Sequence, residues 1–286
     1  MPDAPAPHVV LTGPTSGIGL AAARGLAAAG ARLTLVGRDE ARLSALAAEL
    51  GSADRVVADL SSLEQTRQAA AAIRDRHDRI DVLINNAGGM FRQRTETAEG
   101  IESTLALNHL SPFVLTLELL PLLHAAADQD REFGARVVNV ASSAHRSSVH
   151  WDDIALEHGY SLMRAYGQSK ALMVMTTIEL ARRLDGSGVI ANSMHPGVVR
   201  TGIVQKSGHG LIGSLIVLVG YAVLDRPKRG GSHLVHLALS DEAEGVTGAY
   251  WNKRRVEEPS EEARDRANQE RAWALSERLA GMTASG

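Results

Sequence analysis

Cysteine is absent from the 286 residues, which excludes a disulfide framework, a thiolate nucleophile and any cysteine-ligated metal, and suits a reducing compartment. Aromatic side chains are scarce at 3%, so large rings do not dominate the core, and abundant alanine points to helices packed closely on a sheet. Excess positive charge is missing too. The formal net charge is -3 and the pI about 6.4, which removes the basic surface that phosphate backbones require, and nucleic acid is not an expected partner. The opening MPDAPAPH has no apolar core of the kind a secretory signal needs. The most apolar run, residues 211–224, is about fourteen residues long against the roughly twenty that span a bilayer. These absences lead to the expectation of a cytoplasmic chain without stable membrane insertion.

What is present is alternation. Short β-branched or leucine-rich runs at 8–12, 32–36, 55–58, 82–84, 136–140 and 189–194 are separated by helical patterns at 17–29, 40–50, 63–76 and 160–184, with another ending near His124. Helix is expected again near 230–239, and a charged amphipathic helix over 259–279 with Trp273 and Leu279 on its packed side. The rhythm predicts an α/β fold: a single Rossmann-type doubly wound parallel sheet flanked by helices on both faces, with right-handed crossovers. No repeat or break in composition divides the chain, so one domain over residues 1–286 is expected. Residues 211–224, introduced by Ser207-Gly208-His209-Gly210, interrupt the pattern. A buried helix or subunit contact, a substrate lid over about 203–226, and membrane association are the three readings of that stretch.

Directly after the first strand stands Thr12-Gly13-Pro14-Thr15-Ser16-Gly17-Ile18-Gly19. Glycines let the backbone approach a diphosphate, and a helix starting here presents oriented N–H donors and a partial positive charge. Gly13, Thr15, Ser16, Gly17, Ile18 and Gly19 are therefore candidate cofactor residues. At the end of the second strand, Gly37 occupies the place where an acid would accept hydrogen bonds from the ribose of NAD, and Arg38 follows. A guanidinium pairs with a 2′-phosphate, so NADP(H) is favoured over NAD(H); the plainer reading is a solvated Arg38 with Asp39 as helix cap. Further on, Tyr166-Gly167-Gln168-Ser169-Lys170 sets a phenol and an ammonium four residues apart on one helix face. A nearby ammonium favours the phenolate, so a lowered Tyr166 pKa is expected.

Together with Asn85-Asn86-Ala87-Gly88, Asn108, Ser142-Ser143, and Pro196-Gly197 with Thr201, these motifs make the chain resemble the short-chain dehydrogenase/reductase family over most of its length. The resemblance implies that Tyr166 exchanges a proton with the substrate oxygen and Lys170 holds the nicotinamide ribose and lowers the Tyr166 pKa. It further implies that Ser143 hydrogen-bonds the substrate oxygen and Asn108 supports a water relay. Ser143 is preferred to Ser142 because the second serine of the family motif carries that role. The resemblance also implies that Asp59 and Leu60 flank the adenine, Asn86, Ala87 and Gly88 line its ribose, and Pro196, Gly197, Val199 and Thr201 approach the nicotinamide. Asp59 also reads as a helix cap, and Asn86 as a structural residue.

The chain departs from the family in one respect. Ser143 and Tyr166 are 23 residues apart, longer than is usual, so residues 145–160 form an insertion containing Trp151, Asp152, Asp153 and His158. That insertion, with Ala144-His145 and His195-Pro196-Gly197, resembles the branch of the retinol dehydrogenases and WW-domain oxidoreductases. It is expected to be a surface loop, the other reading being an edge of the substrate pocket. His145 and His195 do not specify a metal, and none is expected. The expected activity is NADP(H)-dependent hydride transfer with a carbonyl or alcohol of an apolar small molecule. The alternatives are the same fold turned to non-redox cyclisation, dehydration or epimerisation, and a non-catalytic NADP(H) sensor. A homodimer or homotetramer through the Tyr166 helix and its neighbour is also expected, with residues 173–180 as its apolar patch.

Overall fold

The computed structural model describes residues 6–51, 53–128, 134–197 and 227–282. Val199, Thr201 and the stretch 211–224 lie outside the described residues.

The chain runs β1 (His8–Thr12), α1 (Gly17–Ala28), β2 (Arg32–Gly37), α2 (Glu40–Glu49), β3 (Asp54–Val57), α3 (Leu63–Arg74) and β4 (Val82–Asn85). It continues through α4 (Ser103–Leu105), a π-helical turn (Ala106–Leu110), α5 (Ser111–Ala127), β5 (Ala135–Val140), a 3-10 turn (Ser143–Arg146), α6 (Leu162–Arg183) and β6 (Val189–His195). After the undescribed stretch come α7 (Pro227–Leu239), β7 (Tyr250–Asn252), β8 (Arg255–Glu257), α8 (Glu261–Arg264) and α9 (Arg266–Leu279). One sheet orders the strands β3-β2-β1-β4-β5-β6-β7-β8, parallel throughout except for the antiparallel pair β7 and β8. The order reverses between β1 and β4, which opens a crevice at their carboxyl ends.

Helices cover both faces, as expected, and strand periodicity explains how. In β1, Val9 and Leu11 pack with Ala22, Leu26 and Leu234 from α1 and α7, whereas Val10 joins Ile73, Leu115 and Leu119 from α3 and α5. Because successive side chains point to opposite faces, a strand buried on both sides reads as a continuous apolar run. In β5, Arg136 and Asn139 interrupt that run. Fully buried, Arg136 donates from Nη1 to the carbonyls of Leu237, Ala238 and Ser240 at 3.4, 3.4 and 2.8 Å, satisfying the end of α7 with a cation where the helix dipole favours one.

Three features differ from the sequence expectation. The helix predicted over 259–279 breaks at Asp265, which is extended (φ -66°, ψ 121°) and caps α9 by accepting from the Asn268 N–H. β7 and β8 have three residues each, too few to show a period. Met173, Val174, Met175 and Leu180, the patch expected to meet another subunit, are buried within the chain among residues that include Ala272, Trp273 and Leu275 of α9. Trp273 meets Phe113 edge-on at 4.9 Å and carries the Arg183 guanidinium 4.2 Å from its ring. The run Ser103–Ala127 is long and apolar enough to cross a bilayer, yet 61% of that window is buried inside the fold.

Candidate active site

The glycine turn sits at the carboxyl end of β1, beside the reversal in strand order. Gly13 has φ +66° and Gly17 φ +56°, in the left-handed region that side chains disfavour. A Cβ on Gly19 would collide with the Gly13 carbonyl oxygen, so α1 begins in direct contact with the turn. The brace beneath it is Thr12, a residue not singled out from sequence. Its Oγ1 accepts the N–H groups of Asn86 and Ala87 at 2.9 Å each, while Asn86 Nδ2 donates to the carbonyls of Thr12 and Gly13 at 2.8 and 3.1 Å. Both of these Asn86 side-chain bonds are structural ones. The only hint in the sequence was a hydroxyl placed immediately before the first glycine.

Ser16 occupies the cap position of α1 without a side-chain cap bond. Asp39, Ser62, Ser161 and Asp265 do cap α2, α3, α6 and α9. The first N–H donors of α1 are thereby left for ligand oxygens, flanked by half-buried Thr15, Gly17 and Ile18. Arg38 is exposed just past β2 and, among the described residues, has no ion-pair partner. Asp39 is committed elsewhere: it accepts from the Arg42 N–H at 3.0 Å and pairs with the Arg42 guanidinium at 3.2 Å. These groups fit a phosphorylated dinucleotide. Asp59 holds the Ser61 N–H and hydroxyl at 3.0 and 2.7 Å, while Leu60 is buried in the core with Val36 and Val56. Asp59 thus shapes the turn before α3, and only the backbone of Leu60 can face a ligand. Pro196 and Gly197 leave the carboxyl end of β6, Gly197 with φ +94°.

On α6, Lys170 is buried. Its Nζ donates to the Val140 carbonyl at 2.7 Å and lies 5.9 Å from the Tyr166 ring centroid. Burial brings the ammonium down to about 7 and pushes the Tyr166 phenol up, a hydrogen bond with the Ser142 side chain partly opposing the latter. The expected lowering of Tyr166 by Lys170 is not what this arrangement produces: Nζ is directed at the Val140 carbonyl, and desolvation is the larger influence on the phenol.

Of the two serines, it is the Ser142 side chain that pulls the Tyr166 phenol down against its burial. Ser142 is still extended (φ -154°, ψ 158°) and precedes the 3-10 turn, whose Ala144 N–H its Oγ accepts at 3.2 Å. Ser143, one residue into the turn, is exposed. Extended geometry carries the Ser142 side chain toward α6, and the turn rotates its neighbour away.

Asn108 arrives from the π-helical turn and is fully buried. Its Oδ1 accepts the Gly89 N–H at 2.8 Å, and its Nδ2 donates to the Gly89 carbonyl at 2.9 Å and to Ser169 Oγ at 3.2 Å. Gly88 lies between Asn108 and Lys170: a Cβ there would stand 3.1 Å from Asn108 Oδ1 and 3.9 Å from Lys170 Nζ. The insertion packs along α6. The His150 N–H donates to Gln168 Oε1 at 2.8 Å, Gln168 Nε2 to the Ile154 carbonyl at 2.9 Å, and Trp151 Nε1 to Glu262 at 3.3 Å beneath the Arg271 guanidinium. Trp151 is thus held by α8 and α9. Asp153 accepts the N–H groups of Glu157 and His158 at 2.8 and 3.0 Å. Tyr160 reaches the loop after β4, donating to the Phe91 carbonyl at 2.8 Å. A cavity of about 590 Å³ lies far from this centre, at the outer edge of β3 among Glu40, Asp54, Arg55 and Arg76.

Comparison with known proteins agrees with the geometry. The family model of the short chain dehydrogenases matches residues 7–211. The chain is 37% identical to mouse (Mus musculus) polyprenol dehydrogenase, covering 98% of this chain and 86% of that protein, and 35% identical to human (Homo sapiens) retinol dehydrogenase 13 with the same coverage. Among solved structures, the RhlG/NADP active-site complex of Pseudomonas aeruginosa superposes with a TM-score of 0.70 at 28% identity, over 86% of this chain and 94% of that one.

Proposed function

Because the chain belongs to the short-chain dehydrogenase family, in the branch of the retinol dehydrogenases, we propose that it is an NADP(H)-dependent oxidoreductase interconverting a carbonyl and an alcohol on an apolar small molecule. One arrangement carries the reading: a half-buried Tyr166 whose phenol the Ser142 side chain pulls down, with buried Lys170 and Asn108 near it, next to a glycine turn whose helix has no side-chain cap. In this reading the nicotinamide supplies or accepts the hydride.

The chain's own residues do the rest. Tyr166 gives its phenol proton to the substrate oxygen in reduction and recovers one in oxidation, a role that typically contributes about 10²–10⁴-fold. Burial keeps that proton on the oxygen until substrate arrives. Ser142, in place of Ser143, donates to the same oxygen as negative charge develops there. Lys170, held at the Val140 carbonyl, would hold the ribose hydroxyls of a bound nicotinamide, its pKa lowered to about 7 by burial. Asn108 fixes the Gly89 backbone and, through Ser169, the turn of α6 that carries Tyr166. The free N–H groups of α1 would hold the diphosphate, Arg38 the 2′-phosphate, Asp59 and Asn86 to Gly88 the adenosine, and Pro196 and Gly197 the nicotinamide side.

Support for NADP(H) over NAD(H) comes from exposed Arg38, which has no ion-pair partner among the described residues, and from the NADP named in the Pseudomonas aeruginosa complex. Support for an apolar substrate comes from relatives named for polyprenol and retinol. The same reading keeps the enzyme in the cytoplasm, which fractionation of expressing cells would check. The test of function is oxidation of NADPH and NADH by purified protein across a panel of apolar ketones and aldehydes, with Tyr166→Phe in parallel. Turnover with NADPH that disappears in the variant is the expected result; binding of NADPH without turnover across the whole panel would overturn the reading.

A further inference from the structure

Two buried histidines flank the catalytic helix, and both are tied to the C-terminal segment. His145 lies three residues after Ser142. Its Nδ1 is 2.7 Å from the Ser142 carbonyl oxygen, and its Nε2 is 3.3 Å from the Ser260 backbone nitrogen. An N–H is a donor only, so Nε2 must accept, and the ring proton therefore sits on Nδ1, where it donates to Ser142. The ring stacks 4.2 Å from Tyr250 of β7. Burial lowers the His145 pKa, the Ser142 carbonyl opposing it and Arg146 adding to it.

His109 follows Asn108 in the π-helical turn. Its Nε2 lies 2.7 Å from Ser276 Oγ in α9, and that hydroxyl gives its single proton to the Ala272 carbonyl at 2.6 Å. Nε2 of His109 is therefore the donor. Burial brings this imidazole down to about 3, with Lys170 contributing. Each histidine is thus a neutral ring with a defined tautomer, acting as a rigid hydrogen-bonding strut and not as an acid. The two struts end on the backbone next to the two groups that flank Tyr166 and Lys170. A π-helical turn carries one residue more than the surrounding helix, so its register needs an outside contact, and His109 to Ser276 is one.

We infer that His145 and His109 are positioning residues for the reaction, coupling the C-terminal segment at Ser260 and Ser276 to Ser142 and Asn108. The inference rests on the proposed oxidoreductase reading for its kinetic consequence. The structural coupling has its own readout, since displacement of Ser142 weakens its bond to Tyr166 and raises the phenol pKa whether or not a substrate is known.

The experiment compares His145→Phe, which keeps the stacked ring without its nitrogens, with His145→Asn, whose amide nitrogen takes the place of Nδ1. His109→Leu is compared in the same way with His109→Gln, whose amide takes the place of Nε2, and Ser276→Ala serves as the mildest cut. Tyr166 is titrated by ultraviolet difference against the matching Tyr166→Phe background, and kcat and KM are measured below each variant's melting temperature. The expected result is a drop in kcat of about tenfold or more in His145→Phe, His109→Leu and Ser276→Ala, as small misplacements of reacting groups produce, with KM for NADPH unchanged. His109→Gln should recover to within about threefold of the parent; His145→Asn, which keeps the donor to Ser142 but leaves the Ser260 N–H without its acceptor, should fall between the parent and His145→Phe, and the Tyr166 titration should move upward in His145→Phe. Unchanged kcat and titration in folded His145→Phe, His109→Leu and Ser276→Ala would overturn the inference. So would equal losses in the amide and the apolar variants. If no carbonyl is turned over by the parent enzyme, the oxidoreductase reading fails, and the titration alone still decides the link from His145 to Ser142.

Discussion

Replacing Ser142 and Ser143 separately by alanine isolates the position that the 3-10 turn selects. The Ser142 hydroxyl pulls down the Tyr166 phenol and accepts the Ala144 N–H. Losing the second is a cap deletion worth about 1 kcal/mol of stability, which in a domain of this size lowers Tm by roughly 2–4 °C. Losing the first removes a donor aimed at the substrate oxygen, and single donors of that kind are worth about 2.7–4 kcal/mol, or roughly 10²–10³ in kcat. Ser142→Ala should therefore be a folded protein with kcat lower by that factor and cofactor binding intact. Ser143 is exposed, and Ser143→Ala should stay within about 0.5 kcal/mol in stability and close to the parent in rate. The assay is steady-state kinetics on the best ketone found in the panel, with thermal melts alongside. A Ser143→Ala enzyme that is dead beside an active Ser142→Ala enzyme would refute the reasoning.

Two further outcomes follow from the charges. Arg38→Glu removes charge-assisted bonds worth about 1.5–3 kcal/mol and adds repulsion, so KM for NADPH should rise by roughly 10–100-fold or more while KM for NADH changes far less; equal losses for both cofactors would count against the contact. Lys170→Met should abolish turnover yet raise stability near neutral pH. The folded pKa of Lys170, about 7, lies below its ordinary 10.5, so the unfolded chain binds the proton more tightly and the lysine costs stability below pH 10.5, fully so below about 7. The Tm advantage of the variant should then be largest near pH 7 and fade as pH approaches 10, a change on the order of 4 kcal/mol if the whole shift is expressed. A difference that does not vary with pH would remove burial as its cause.

Local pattern by itself determined much of this protein. The alternation of apolar strands with alanine-rich helices dictated a doubly wound sheet, because burial on both faces demands continuous apolar strands and crossovers demand helices. The turn at Gly13 to Gly19, the four-residue spacing of Tyr166 and Lys170, and Gly37 in place of an acid with Arg38 next to it are short-range features, and they can be read without knowing what packs against them. Tertiary structure alone decided the rest. Whether Ser142 or Ser143 meets Tyr166 depends on where β5 gives way to a 3-10 turn, which adjacent identical residues do not encode. The pKa of Tyr166 and Lys170 depends on how much water the surrounding helices exclude, and here desolvation is the largest cause for both. Thr12, Arg136, His109 and His145 acquire their roles from partners 74, 104, 167 and 115 residues away. No periodicity reports contacts at those separations, because only the folded backbone brings the two ends together.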